Sequence, residues 1–219
     1  TGQPLHAFDA DKIKGGKVVV GTVEEGHKFT TLDEVERTLS AEDLMICNTE
    51  EPMCIGGVFG GLESGVTENT TNIFIESAYF NPVSIRKTAR RHGLNTDASF
   101  RFERGIDPHN TIYILKYAAM LIKELTGGTI ASEVTDIYPT PLNNFIVDVK
   151  IEKINSLIGK VIETEQIERI FEGLEMKVLE KDNEGYKLEV PAYRVDVQRD
   201  VDVIEDILQM VEAGKTLME

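Results

Sequence analysis

Cysteine is scarce in this sequence. Cys47 and Cys54 are the only two, they form no Cys-Xaa-Xaa-Cys pair, and no histidine stands at ligand spacing beside them. They read as buried thiols, and nothing argues for a zinc site. No apolar run approaches the ~20 residues that span a bilayer. The N-terminus lacks the charged stretch and apolar core of a secretion signal, so a cytoplasmic setting is the default. Positive charge is also in deficit, with 23 Lys and Arg against 38 Asp and Glu and a net charge of −15, which speaks against broad nucleic-acid binding. Neither a Gly-Xaa-Gly-Xaa-Xaa-Gly fingerprint nor a P-loop is present. No Ser-His-Asp or Cys-His arrangement can be read that would activate a nucleophile. The chain starts at Thr1 without methionine and within a motif, so it is expected to be a piece of a longer one.

What is present concentrates between Glu76 and Gly105. Asn81 and Pro82 read as the cap and first residue of a short helix, and Gly93 reads as its stop. Arg86, Lys87, Arg90 and Arg91 then lie on one helix, with Arg86 and Arg90 on a common face. Residues 77 to 104 carry six cations against two anions, a local balance of +4 in an acidic chain. Such an island can steer one anionic end of a ligand; a solvated helix face with internal ion pairs is the alternative. Glu76 ends a run, Asn72 to Ile75, that alternates like a half-buried strand, and a carboxylate there needs a partner or a purpose.

The other segments give an α+β fold. Lys17 to Val23 and Leu44 to Cys47 read as strands, with a turn at Ser40 to Asp43. Five glycines between Gly56 and Gly65 suit tight turns or close backbone approach to a ligand. Asn95 to Ser99 reads as a turn. Asp107 and Pro108 predict the start of a second helix that ends at Gly127-Gly128 and buries Ile112, Leu115, Ala119 and Ile122. Thr129 to Tyr138 predicts a strand. Pro139 to Asn144 is the best linker, dividing a domain at 1–141 from one at 142–219. The second domain predicts a strand at Phe145 to Ile151, helices around Ile154 and around Ile167 to Glu172, a hairpin turned at Asp182 to Gly185, and a last helix. That order suggests a winged helix, but residues 141 to 219 hold ten cations against eighteen anions, where a duplex reader should be basic, so no DNA partner is expected.

Several segments together carry a family resemblance. They are Gly2 to Asp9 (GQPLHAFD), Gly56 to Gly61 (GGVFGG), Glu76 to Phe80 (ESAYF), Ala89 to Leu94 (ARRHGL), Thr96 to Ser99 (TDAS), Arg101 to Gly105 (RFERG) and Tyr193 to Asp206. The chain resembles the beta subunit of bacterial phenylalanyl-tRNA synthetase over nearly its whole length. The first domain matches the B3/B4 editing module and the second the small winged-helix-like B5 domain. Gln209 to Glu219 departs from the family pattern. The resemblance implies hydrolytic proofreading of tyrosine misattached to tRNA(Phe). Its pocket residues match His6, Gly57, Gly60, Glu76, Thr96 and Ala98, with His6, Glu76 and Thr96 nearest the chemistry and Glu76 accepting the tyrosine hydroxyl. Without the resemblance, His6 beside Pro4, Leu5 and Phe8 would read as a structural histidine. The cations Arg86, Lys87, Arg90 and Arg91 would contact tRNA.

The family also implies an alpha subunit as partner, in a two-alpha, two-beta assembly. Mg²⁺ shared with that subunit is expected at Asp196, Asp202, Glu205 and Asp206. The last three project from one side of a helix whose other side carries Val201, Ile204 and Leu208; from spacing alone, acids in a first helical turn could equally favour the helix dipole. ATP is used only by the whole enzyme, and the chain alone should not charge tRNA. A noncatalytic tRNA-binding and assembly module, or an unrelated binder of a small anion at the glycine-rich loop, are the alternative readings.

Overall fold

The computed structural model describes residues 2–216, and the chain divides after Ile137 into two units, each with its own apolar core. The division falls just before the Pro139 to Asn144 linker expected from sequence. Among the described residues, no helix is long and apolar enough to cross a membrane.

Unit 1 is built from short antiparallel pieces. β1 (His6–Asp9) pairs with β8 (Ile73–Glu76) in a two-stranded ribbon whose register sets His6 opposite Glu76. β2 (Val19–Gly21), β5 (Met45–Cys47), β6 (Pro52–Ile55) and β7 (Phe59–Gly60) form a sheet in the order β2-β5-β6-β7. The polar stretch between the first two expected strands, read from sequence only for a turn at Ser40 to Asp43, contains a hairpin, β3 (Lys28–Thr30) and β4 (Glu36–Thr38). α1 (Pro82–His92) starts and stops as its sequence dictates. Asn81 Oδ1 accepts from Val83 N at 2.9 Å and Ser84 N at 3.2 Å, and Gly93 closes it in the left-handed conformation at φ 64°. Ile85, Thr88 and Ala89 face inward from it, onto a core that includes Phe8, Ile55, Val58, Phe80 and Phe102.

Four expectations for this unit need correction. Asn95 to Ser99 is no free turn, because Thr96 caps a further helix, α2 (Asp97–Phe102). Asp107 does not cap the next helix; its carboxylate accepts from His109 N at 2.9 Å, closing a local turn, and α3 (Thr111–Thr126) begins four residues later. α3 is not core either. Only Ile114 is buried, because the helix packs along β8 on one side and leaves Tyr113, Tyr117, Met120, Leu121 and Leu125 exposed on the other. Residues 129–138, expected as a strand, are exposed and form no ladder with the described strands.

Unit 2 follows its sequence closely. β9 (Phe145–Lys150), β10 (Lys177–Lys181) and β11 (Gly185–Val190) form an antiparallel sheet in the order β10-β11-β9. Along β11, Tyr186, Leu188 and Val190 alternate inward, the period-two pattern of a strand with one buried face. Asp182 Oδ1 turns the hairpin by accepting from Glu184 N at 2.8 Å and Gly185 N at 2.9 Å. α4 (Ile151–Ile158), α5 (Thr164–Gly173) and α6 (Asp200–Thr216) cover the sheet. The buried stripe of α6 is Val203, Ile204, Ile207 and Val211; Val201, expected within it, is exposed.

Candidate functional site

His6 and Glu76 are brought together by register. As directly paired residues of an antiparallel ribbon their side chains share one face, with Phe8 and Phe74 next along it. Phe8 is fully buried, and its ring meets the His6 imidazole edge-on at a centroid distance of 4.5 Å. The imidazole is thus held by an aromatic neighbour and not by a polar one. His6 Nε2 is buried without a hydrogen-bond partner among the described residues, and burial lowers the His6 pKa, which favours the neutral ring at pH 7. Buried polar atoms are nearly always paired, and an orphan nitrogen marks a place where a ligand or water completes the site.

Glu76 is the second unpaired group. No hydrogen bond from a described residue reaches its carboxylate, and burial alone raises its pKa from the ordinary 4.5 to about 7. The Cys54 thiol lies near enough for that carboxylate to help burial push its own pKa well up; it is free, fully covered and unreactive. Cys47, also free, is half-buried.

The glycine-rich turn supplies the adjoining wall. Gly60 has no room for a side chain, since a Cβ there would stand 2.8 Å from His6 Cε1 and 2.8 Å from Leu32 Cδ1. Gly57 has φ 69°, and a Cβ on it would come within 2.7 Å of both Ile85 Cδ1 and Phe80 Cδ2. These two glycines therefore let the turn Ile55 to Gly60 lie directly on the core and on the imidazole.

Thr96 and Ala98 border the same turn. The Thr96 hydroxyl donates to the Val58 carbonyl at 2.8 Å and accepts from Ser99 N at 3.0 Å. Ser99 Oγ in return accepts from Thr96 N at 3.0 Å, a reciprocal cap. Ala98 is partly buried against the unit 1 core. Sequence reasoning missed Ser99 and the Val58 carbonyl. The Thr-Xaa-Xaa-Ser spacing could have found the first, whereas a backbone acceptor leaves no trace in side-chain chemistry.

The four cations expected at the tRNA contact do not act alike. Arg86, Lys87 and Arg90 are exposed on α1, and none of them forms an ion pair with a described residue. Arg91 is committed inward. It binds Asp43, and Glu42 at 2.6 Å, while His92 Nε2 sits 2.6 Å from Asp43 Oδ2 and Thr88 Oγ1 donates to Asp43 at 2.9 Å. Asp43 is completely buried. Burial works against its charge, but the Ser40 amide, His92 and Thr88 outweigh it and keep its pKa low. The Arg91-His92 part of the motif is thus an anchor of the α1 C-terminus.

The acidic set in unit 2 does not converge. Arg194 binds Asp206 at 2.8 Å and Asp196 at 3.3 Å, Arg199 binds Asp202 at 2.7 Å, and Glu205 points out to Gln209 at 3.2 Å. Asp202 is held at about 2, chiefly by Arg199, whereas burial raises Asp206 in spite of Arg194. Among the described residues no group of three or more His, Cys, Asp or Glu could hold a metal, so these acids do not fit Mg²⁺ by themselves.

Comparison with known proteins bears on both units. The B3/4 domain family model matches residues 1–127, and the tRNA synthetase B5 domain matches residues 147–212. A curated protein of Bacteroides fragilis named phenylalanine–tRNA ligase beta subunit is 65% identical over 95% of this chain, and its Porphyromonas gingivalis counterpart is 56% identical over 95%. The chain spans about a quarter of the length of these relatives, 26% in each case. A solved N-terminal fragment of the phenylalanyl-tRNA synthetase beta-subunit from Pyrococcus horikoshii aligns with a TM-score of 0.49 at 18% identity, over 95% of this chain and 59% of that one.

Proposed function

Since this chain belongs to the B3/4 domain family and is part of a phenylalanyl-tRNA synthetase beta subunit, we propose that its unit 1 hydrolyses the ester between tyrosine and the 3′ end of tRNA(Phe). An apolar pocket made for phenylalanine rejects an isostere that adds a hydroxyl by only ~10², so a second pocket that recognises the hydroxyl is needed. One observation carries the reading: Glu76 and His6 Nε2 are sheltered, unpaired and on one face. A carboxylate that burial has raised to about 7 gains when a phenol O–H donates to it, and phenylalanine offers no such donor. Neutral His6 orients the ester or helps the leaving ribose oxygen. The backbone at Gly57 and Gly60 borders the substrate, with Thr96 and Ala98 beside the same turn. Water attacks the ester carbonyl, releasing tyrosine and the free 3′ end. Catalysis by positioning suits a site without an activated nucleophile.

Arg86, Lys87 and Arg90 would hold the acceptor end of the tRNA. Mg²⁺ at Asp196, Asp202, Glu205 and Asp206 would need oxygen ligands from outside this chain, so it is proposed only for the assembly with an alpha subunit. Phenylalanine activation with ATP belongs to that whole enzyme, acting in the cytoplasm. The test compares Tyr-tRNA(Phe) and Phe-tRNA(Phe) with the 219-residue chain and its Glu76→Ala variant. A charge-assisted hydrogen bond of ~1.5–3 kcal/mol predicts a ten- to hundredfold loss of kcat/KM for the tyrosyl ester, with the phenylalanyl ester little changed. Equal loss for both esters would refute Glu76 as the selector, and binding of either tRNA without hydrolysis would favour a noncatalytic module.

A further inference from the structure

The Thr96 hydroxyl has a single proton, and the structure directs it to the Val58 carbonyl at 2.8 Å. What fixes that direction is Ser99. Its amide donates to Thr96 Oγ1 at 3.0 Å, and its own hydroxyl donates to the Thr96 carbonyl at 3.0 Å while accepting from the Thr96 amide at 3.0 Å. Thr96 Oγ1 therefore has one of its two lone pairs engaged by the Ser99 amide, and Val58 O is the shorter acceptor of its proton, nearer than Ser99 Oγ at 3.2 Å. Ser99 is buried, at 2% exposure, whereas Thr96 is half-buried, so it is the Ser99 side of the pair that is closed to water.

Val58 lies between the two glycines of the site. On one side Gly57 leaves no room for a Cβ beside Ile85 and Phe80; on the other Phe59 leads to Gly60, where an added Cβ would run into the His6 ring. The Val58 carbonyl bond is thus the polar tether between the α2 N-terminus and the turn that backs the imidazole. We propose that Ser99, acting through Thr96, is a positioning residue for His6: the pair clamps the Val58 carbonyl, and the clamped turn fixes the imidazole opposite Glu76. Thr96 then contributes by holding the turn and not by contacting the ester. This deepens the editing reading and rests on it for its catalytic consequence, but its geometric content stands apart from it.

The experiment uses the 219-residue chain and the variants Ser99→Ala, Thr96→Val and Thr96→Ser. The direct readout is the His6 Cε1–H resonance in ¹³C-labelled protein, assigned by its loss in His6→Gln. Ser99→Ala and Thr96→Val are expected to shift and broaden it, and Thr96→Ser, which keeps the hydroxyl, to restore it. Hydrolysis of Tyr-tRNA(Phe) supplies the second readout: kcat falls roughly ten- to a hundredfold at unchanged KM in the first two variants, the scale of a displaced catalytic group, and recovers in Thr96→Ser. A helix cap without this role would lower the melting temperature and leave His6 unmoved, which overturns the proposal. A raised KM at constant kcat in Thr96→Val overturns it too, by making Thr96 a substrate contact. If the wild-type chain hydrolyses nothing, the editing reading fails, while the His6 resonance still decides whether the clamp exists.

Discussion

Replacing Glu76 by glutamine isolates the energetic penalty of a sheltered carboxylate without altering its shape. The folded-state pKa of about 7 lies above the ordinary 4.5 expected in the unfolded chain. Below pH 4.5 the group is protonated in both states and carries no penalty. Between these values the unfolded chain ionises first while the folded chain holds its proton, so stability falls as pH rises; above 7 the full penalty is present. At roughly 1.4 kcal/mol for each pH unit of displacement, that penalty is about 3 kcal/mol, of which about 2.5 develops between pH 5 and pH 8. Glutamine never ionises. Urea denaturation of both proteins, followed by circular dichroism at several pH values, should show the variant gaining about 2 to 3 kcal/mol on the wild type from pH 5 to pH 8. All other titrations are common to the two proteins and cancel in the difference. A difference that stays flat within about 0.5 kcal/mol would refute the argument, because it would mean that Glu76 is as well solvated in the folded chain as in the unfolded one.

Asp43→Ala leaves Arg91 and His92 without their shared carboxylate, and removing one partner from a buried pair costs about 3–5 kcal/mol, to be read from thermal melting. Because the Asp43 pKa is lowered in the fold, its contribution should be complete above the ordinary carboxylate pKa and vanish as pH drops through the folded value. Gly57→Ala should destabilise by about 2–4 kcal/mol, combining a left-handed backbone with overlap against Ile85 and Phe80, and denaturant titration gives the number. Arg86→Ala with Arg90→Ala should weaken tRNA binding and flatten its salt dependence by about one slope unit per cation, whereas Arg91→Ala should chiefly lower the melting temperature.

Local chemistry made much of this fold legible. Asn81, Pro82 and Gly93 delimited α1 because caps are decided within three or four residues, and Asp182 to Gly185 placed the hairpin for the same reason. What escaped depends on distant contacts. The β3–β4 hairpin is short, and its strands gain only one buried residue, Phe29, so periodicity had little to display. α3 carries apolar residues around most of its circumference, and no sequence pattern distinguishes a helix that is covered from one that is not. In the candidate site, His6 and Glu76 were singled out through resemblance, whereas their pairing follows from a register spanning seventy positions. Arg91 could not be separated from Arg90 by composition, because its partner, Asp43, lies nearly fifty residues upstream.

The uncovered cations of α1 sit on a chain whose overall charge is −15. Attraction and repulsion toward a polyanion therefore act over different ranges. At 0.01 M salt the screening length is about 30 Å, wide enough for the whole acidic surface to repel an approaching phosphate chain. Near 0.1 M it shrinks to about 10 Å, so the far acids fade while Arg86, Lys87 and Arg90 still reach a phosphate placed against them. At about 1 M, with a screening length near 3 Å, that contact weakens as well. If these cations hold tRNA as proposed, the encounter rate should pass through a maximum at intermediate ionic strength, with the helix face acting as a short-range docking point set within a long-range barrier.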